Sequence, residues 1–230
     1  MLKWPFANPA TASGTSAIHV GGSLDPELLL CAYHHGIFPW FNEGQPIKWW
    51  CPNPRFVLLP SELRVTDSLK KVMRKKEWRV TIDQDFERVM RECAAAYRPG
   101  QDGTWISEEM IEAYVKLHQM GYAHSVEVYW EDELVGGLYG MALGRVFHGE
   151  SMFHHKTDAS KVGFVTLMHR LISCNFSLID CQVPTPHLAS LGAARVERSL
   201  FLEVIKVQKE IKPDGQPWVN PLLISGQRLA

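Results

Sequence analysis

Apolar residues return every three or four positions along several stretches of this chain and alternate with polar ones along others, which predicts a mixture of helices and strands. Asp25-Pro26-Glu27 supplies an N-cap, a proline at the first helical position and an acid in the first turn, and Gly36 is placed to end that helix in a left-handed conformation. Asp83–Tyr97 reads as another helix. Ser107 caps a further one, with Glu108 and Glu109 in its first turn, Ile111, Tyr114, Val115 and Leu117 at helical spacing, and Gly121 just past its end. Three strand-like segments follow, His124–Trp130, Leu134–Leu143 and Arg145–Phe153, the first two joined by the acidic turn Glu131-Asp132-Glu133. Asp158 opens a helix reaching about Cys174, Ser177–Val183 is a strand, and a last helix covers Ser199–Ile211.

Two stretches fit this rhythm less well. Ile37–Arg55 holds Phe38-Pro39-Trp40-Phe41 and Trp49-Trp50-Cys51-Pro52-Asn53-Pro54-Arg55, too rich in proline for a sheet interior and too apolar for a linker. Ser61–Lys75 reads as a short strand and then a basic helix. We therefore place a small N-terminal domain at residues 1–59, a boundary near Pro60-Ser61, and a larger α+β domain with a mostly antiparallel central sheet at residues 60–230. An antiparallel meander followed by helix, strand and helix is the order of GNAT-type N-acyltransferases, an analogy of fold that does not establish function.

With 230 residues, 46% hydrophobic and 21% charged, the composition is that of an ordinary globular protein. No apolar run approaches the roughly 20 residues that span a bilayer, and the N-terminus lacks the apolar core of a signal peptide. Five cysteines, odd in number and never spaced C-x-x-C, argue against a disulfide framework or a zinc knuckle and suit a reducing cytoplasm. The paired histidines His34-His35 and His154-His155 point apart on any regular element, so no metal is expected. A net charge of -1 discourages nucleic-acid binding over the whole surface. The charge is uneven, however: Lys70, Lys71, Arg74, Lys75, Lys76 and Arg79 cluster against one acid, Glu77. Such a run is either a solvated helix face or a local contact for RNA phosphates.

Several short segments, each weak alone, are together specific: Gly36-Ile37-Phe38-Pro39-Trp40-Phe41, Trp49-Trp50-x-Pro-x-Pro-Arg55, Gly103-Thr104-Trp105-Ile106, His124-Ser125-x-Glu127, Gly136-Gly137-x-Tyr139-Gly140, Gly149-Glu150-Ser151-Met152-Phe153, Leu178-Ile179-Asp180-Cys181-Gln182 and His187-x-x-Ser190-Leu191-Gly192-Ala193. In this order they resemble the leucyl/phenylalanyl-tRNA–protein transferase family from about Val20 to Ala193. One departure is Ser23, where the family usually has Asp. The resemblance implies a small N-terminal domain on a GNAT-like domain. It implies a monomeric cytoplasmic enzyme without cofactor that moves leucine, phenylalanine or methionine from aminoacyl-tRNA to proteins beginning with Arg or Lys, marking them for degradation.

Such a donor is an activated ester, so the reaction is aminolysis and needs positioning more than a strong base or a metal. Near-attack geometry alone is worth about 7–11 kcal/mol. The resemblance places the polar centre at Asp180 and Gln182 with Glu150 beside them. Spacing two apart on a strand sends Asp180 and Gln182 to one face and Cys181 to the other. Asp180 then orients Gln182 and the attacking amine, and Glu150 receives the acceptor's cationic first residue. Trp40 and Trp105 occupy the positions that stack the terminal adenosine, with Tyr114 nearby, and Phe147, Met152, Phe153 and Phe164 are candidates for the amino-acid pocket, though aromatic residues fill cores as readily. His187 is read as capping or bracing the segment after the Asp180 strand. Two rival readings remain. An acyl-CoA-dependent enzyme wants a glycine-rich pyrophosphate loop where this chain has His154-His155-Lys156-Thr157-Asp158-Ala159-Ser160-Lys161. A noncatalytic tRNA-binding module has no need of the Asp180, Gln182 and Glu150 cluster.

Overall fold

A computed structural model describes residues 5–14, 16–97, 104–219 and 223–224. Gly103, one of the motif residues above, lies outside them. In the N-terminal part, β1 (His19–Val20), β2 (Phe38–Pro39) and β3 (Lys48–Trp50) form a three-stranded antiparallel sheet in the order β1-β3-β2. The sequence reading missed this sheet. Pro39 sits on its edge strand and the central strand has no proline, so the rule that keeps proline from sheet interiors is obeyed. Between β1 and β2 runs α1 (Pro26–Tyr33), whose N-cap Asp25 accepts from the Glu27 amide at 2.9 Å. Gly36, at φ +72°, turns the chain where an added Cβ would meet the Phe201 ring at 2.6 Å.

An eight-stranded sheet forms the rest. Its members are β4 (Arg55–Leu58), β5 (Trp78–Ile82), β6 (Ala123–Trp130), β7 (Glu133–Leu143), β8 (Val146–His154), β9 (Leu178–Gln182), β10 (Ala194–Val196) and β11 (Leu223–Ile224), in the order β10-β4-β9-β8-β7-β6-β5-β11. Every pairing is antiparallel except β8 with β9. The mixed α+β class and the three-strand meander stand as the pattern predicts. β4 pairs within this sheet although it precedes residue 59, so the N-terminal stretch already contributes to the larger layer.

Helices cover both faces. On one, α3 (Phe86–Ala95) and α4 (Glu108–Gln119) pack with α1 and with Tyr139, Met141 and Phe153. On the other, α2 (Asp67–Met73) and α5 (Ala159–Ser173) pack on Val126, Val128, Leu138 and Phe147. The short α6 (Pro186–Ser190) follows β9, and α7 (Arg198–Gln208) buries Phe201 and Ile205 against Val57, Val146 and Leu178. Arg198 ties the proline-rich stretch to α7, its amide donating to Asn53 Oδ1 at 2.9 Å and its Nη1 to the Cys51 carbonyl at 2.8 Å. Among the described residues no helix is long and apolar enough to cross a membrane.

Two local expectations need correction. Ser61 begins no strand: Pro60–Glu62 is a single 3₁₀ turn, as the fixed φ of proline favours. The basic run is not one helical face. Lys70 and Lys71 lie in the last turn of α2, where cations suit the helix dipole, Arg74 is its C-cap, Lys75 and Lys76 occupy the turn that follows, and Arg79 is in β5.

At Gly140 the β7–β8 pair is so close that a Cβ would stand 2.2 Å from the His148 carbonyl oxygen and 2.6 Å from the Phe147 ring. Because the obstacle is backbone, Gly140→Ala is expected to destabilise the protein by about 1–3 kcal/mol, the scale of overpacking a core. Urea denaturation reads this directly, and an unchanged midpoint would show that the strands can part there.

Candidate functional site

β8 and β9 run parallel only briefly. Val146, Phe147 and His148 pair with Leu178, Ile179 and Asp180, and beyond that register the two strands part. A cavity of about 720 Å³ opens at the split, with Gly149, Glu150 and Ser151 on one lip and Cys181, Gln182 and Val183 on the other. Both lips are irregular. Tyr139 pairs with Ser151 and Gly140 with Gly149, which leaves Glu150 as the extra residue of a β-bulge. Phe56 pairs with Gln182 and Val57 with Asp180, which makes Cys181 the extra residue of a second. Gln182 then adopts φ +61°.

These irregularities overturn the simple alternation expected of β9. Ile179, Cys181 and Gln182 line the cavity, whereas Asp180 faces away and is fully buried. Its carboxylate receives Arg55 Nε at 2.7 Å and Nη2 at 2.6 Å, His148 Nδ1 lies 2.8 Å from Oδ2, and the Gln182 amide donates to Oδ1 at 2.9 Å. Arg55 is itself fully buried between the rings of Phe38 and Phe201, 4.8 and 4.5 Å from their centres. Burial alone would raise the Asp180 pKa; the Arg55 guanidinium outweighs it and holds the carboxyl well below the usual carboxylate range. Asp180 thus stays ionised and fixes the backbone of Gln182; with its oxygens engaged in this buried cluster, it is not placed to orient an amine in the cavity.

Glu150 is the opposite case. The residue is half-buried, but its Oε2 is shut off from solvent and has no hydrogen-bond partner among the described residues. Oε1 receives the Tyr33 hydroxyl at 2.7 Å and Gln182 Nε2 at 2.6 Å. Burial, reinforced by the nearby Asp180 carboxylate, pushes the Glu150 pKa up to about 8 in spite of those two donors and Arg55. At neutral pH the empty site therefore holds a largely uncharged acid.

The remaining candidates divide. Phe147, Met152, Phe153 and Phe164 all line the cavity, as do Trp40, which is 38% exposed, and the half-buried Trp105. Tyr114 does not: it is fully buried, and its hydroxyl is spent on Tyr33, so it offers no face for stacking. Lys70, Lys71, Arg74, Lys75 and Lys76 are all exposed and lie outside the cavity lining. Lys75 stands 5.7 Å over the Trp130 ring and Lys156 4.1 Å over it, which extends the basic surface toward His154 and His155 at the cavity. His187 lines the cavity and does not cap α6; Thr185 does, accepting from the Leu188 amide at 3.2 Å. Tyr33 and His148 were not foreseen. Tyr33 sits in an apolar helical run, and nothing in its spacing marks a hydroxyl with a task. Among the described residues no three His, Cys, Asp or Glu side chains gather as a metal site.

Residues 57–206 match the leucyl/phenylalanyl-tRNA protein transferase family, and residues 22–53 match its N-terminal domain. The chain is 51% identical to the leucyl/phenylalanyl-tRNA–protein transferase of Stutzerimonas stutzeri (strain A1501), an alignment covering 94% of this chain and 95% of that protein. The chain belongs to this family of aminoacyltransferases. The enzyme of the same name from Pseudomonas fluorescens (strain Pf0-1) is also 51% identical, over 95% of this chain and 96% of its own. A GCN5-related N-acetyltransferase from Kribbella flavida overlaps at a TM-score of 0.36 and 12% identity, covering 74% of this chain and 60% of its own, a loose likeness.

Since Asp180 and Arg55 neutralise each other away from water, removing either strands a charge. Asp180→Ala is expected to cost about 3–5 kcal/mol of stability, with Asp180→Asn also destabilising. Chemical denaturation checks this alongside activity; full stability with lost activity would mean that Asp180 works on the substrate directly.

Proposed function

We propose that the protein transfers leucine, phenylalanine or methionine from aminoacyl-tRNA to the α-amino group of proteins beginning with Arg or Lys. The observation that carries this reading is one cavity in which an apolar wall (Phe147, Met152, Phe153, Phe164), two accessible tryptophans and the Glu150–Gln182 pair meet. The apolar wall suits a side chain unbranched at Cβ. Trp40 and Trp105 suit an unpaired terminal base, where stacking is worth about 1–3 kcal/mol. The exposed cations from Lys70 to Lys76 suit the tRNA backbone. On this reading the enzyme is monomeric and cytoplasmic and marks its acceptors for degradation, as the family resemblance implies.

In the reaction the neutral α-amine attacks the ester carbonyl carbon, forming the C–N bond. The ribose oxygen departs as the C–O bond breaks and takes up a proton in place of the one the amine loses. An α-amine has a pKa of about 7.7–8.0, so enough of it is neutral at physiological pH. Gln182, fixed by Asp180 and Glu150, is placed to hold the reacting groups in line, and positioning supplies most of the rate. Glu150 meets the acceptor's side chain. An arriving guanidinium or ammonium favours the charged carboxylate, so binding ionises Glu150 and releases a proton. The sign follows: preference for Arg or Lys is strongest above about pH 8, where Glu150 is already ionised, and weakens as pH falls through that value.

The decisive experiment supplies the protein with an Arg-initiated peptide and either leucyl-tRNA or acetyl-CoA. Leucine transfer without acetylation is expected, and acetylation alone would refute the reading. In the same assay Gln182→Ala should lower kcat by about 10²-fold, the scale for one lost transition-state hydrogen bond; full kcat would remove Gln182 from the mechanism. Replacing Lys71, Arg74 and Lys75 by Ala should flatten the slope of log affinity for tRNA against log salt by roughly 2–3, close to one unit per lost phosphate contact. An unchanged slope would make these residues plain solvated surface.

A further inference from the structure

Tyr33 and Tyr114 reach the site from behind. Tyr33 belongs to α1, within the segment that matches the family's N-terminal domain, and Tyr114 to α4; both are fully buried. Their hydroxyls are hydrogen-bonded to each other, and that of Tyr33 also donates to Glu150 Oε1 at 2.7 Å. A phenol has one proton to give. When Glu150 is ionised it can only accept, so Tyr33 gives its proton to Oε1 and Tyr114 then donates to Tyr33. Burial first, and then the Glu150 carboxyl, push both phenols well above their ordinary range, so neither loses its proton at working pH. Gln182 occupies the same Oε1 from the other side at 2.6 Å. Both donors thus converge on one oxygen, and Oε2 is left without a hydrogen-bond partner among the described residues.

We infer that Tyr33, backed by Tyr114, is a positioning residue for acceptor recognition: with Gln182 it pins Glu150 by Oε1 and so fixes the carboxyl at the cavity lip that meets the acceptor's cationic first residue. This rests on the reading above that Glu150 meets that cation. A donor aimed at a carboxylate also favours its charged form, against the burial that opposes it. The other charged or titratable groups around Glu150 are Asp180 on β9, Arg55 on β4 and His148 on β8. Asp180 and Arg55 act on it in opposite senses, and His148 is engaged with Asp180. The hydroxyl of Tyr33 is thus a neutral support for the carboxylate that comes from the N-terminal part of the chain.

The test uses the full chain and leucyl-tRNA, with peptides beginning in Arg and in Ala, between about pH 6 and about pH 10. The ratio of their kcat/KM values largely cancels titration of the α-amine, which both share. In the wild type the ratio should rise through a midpoint near 8. Tyr33→Phe keeps the ring and loses the hydroxyl; its midpoint should move up by about half a unit to one unit, and the Arg preference at neutral pH should fall several-fold, the scale of one lost hydrogen bond. Tyr114→Phe, which leaves the Tyr33–Glu150 bond in place, should shift the midpoint the same way by less, and it serves alone if Tyr33→Phe does not fold. A merely structural tyrosine would lower stability without moving the midpoint. Wild-type midpoints in the folded tyrosine variants, with the Arg preference abolished in Glu150→Gln, would overturn the role of Tyr33 while sparing that of Glu150. An Arg preference that survives Glu150→Gln would overturn both.

Discussion

A guanidinium and a carboxylate shut away from water must satisfy each other, and Arg55 and Asp180 do so where β4 meets the strand that carries the site. The pair is held by its surroundings as much as by charge. Phe38 from the small sheet and Phe201 from α7 close over the guanidinium, so the N-terminal part, the large sheet and the last helix all meet on one side chain. Asp180 in turn sets the backbone of Gln182 and thereby the lip of the cavity. A buried ion pair is weak evidence for stability as such, because desolvation consumes much of the Coulomb gain. Here it fixes geometry: the turn of β9 out of the sheet is defined by a group that cannot move without stranding a charge.

Neutralising Asp180 has an electrical consequence. Two carboxyls near one split in the sheet would ordinarily repel, and one would take up a proton. With Asp180 committed to Arg55, the proton falls to Glu150, whose hydrogen-bond donors Tyr33 and Gln182 are neutral. The cavity can then present an apolar wall to an uncharged donor side chain and still acquire a negative charge when a cation arrives. Two substrates of unlike character can share one small space on these terms.

Much of the fold was legible. Asp25-Pro26-Glu27, Ser107 and the meander from His124 to Phe153 speak through local rules of capping and alternation, and each element formed. The strands β3, β4 and β5 were not visible because they are short and their pairing partners lie far away in the chain, so no local period marks them. At the site, the motifs containing Glu150 and Gln182 were visible and the geometry was not. Alternation assigned Asp180 and Gln182 to one face; a bulge at Cys181 and a left-handed Gln182 undo it, and neither follows from a period of two. Tyr33 was passed over and Tyr114 misassigned for one reason. Whether a tyrosine in an apolar helix stacks on a ligand or spends its hydroxyl on a buried carboxyl depends on what folds against it.

The titration of Glu150 bears most directly on this account. Carboxyl carbon NMR, assigned with Glu150→Gln, would follow its ionisation in the empty protein and with a saturating Arg-initiated peptide. A midpoint near 8 in the empty protein, moving to lower pH when the peptide binds, is the expected result. A midpoint at the ordinary glutamate value of about 4.3, unmoved by peptide, would contradict it.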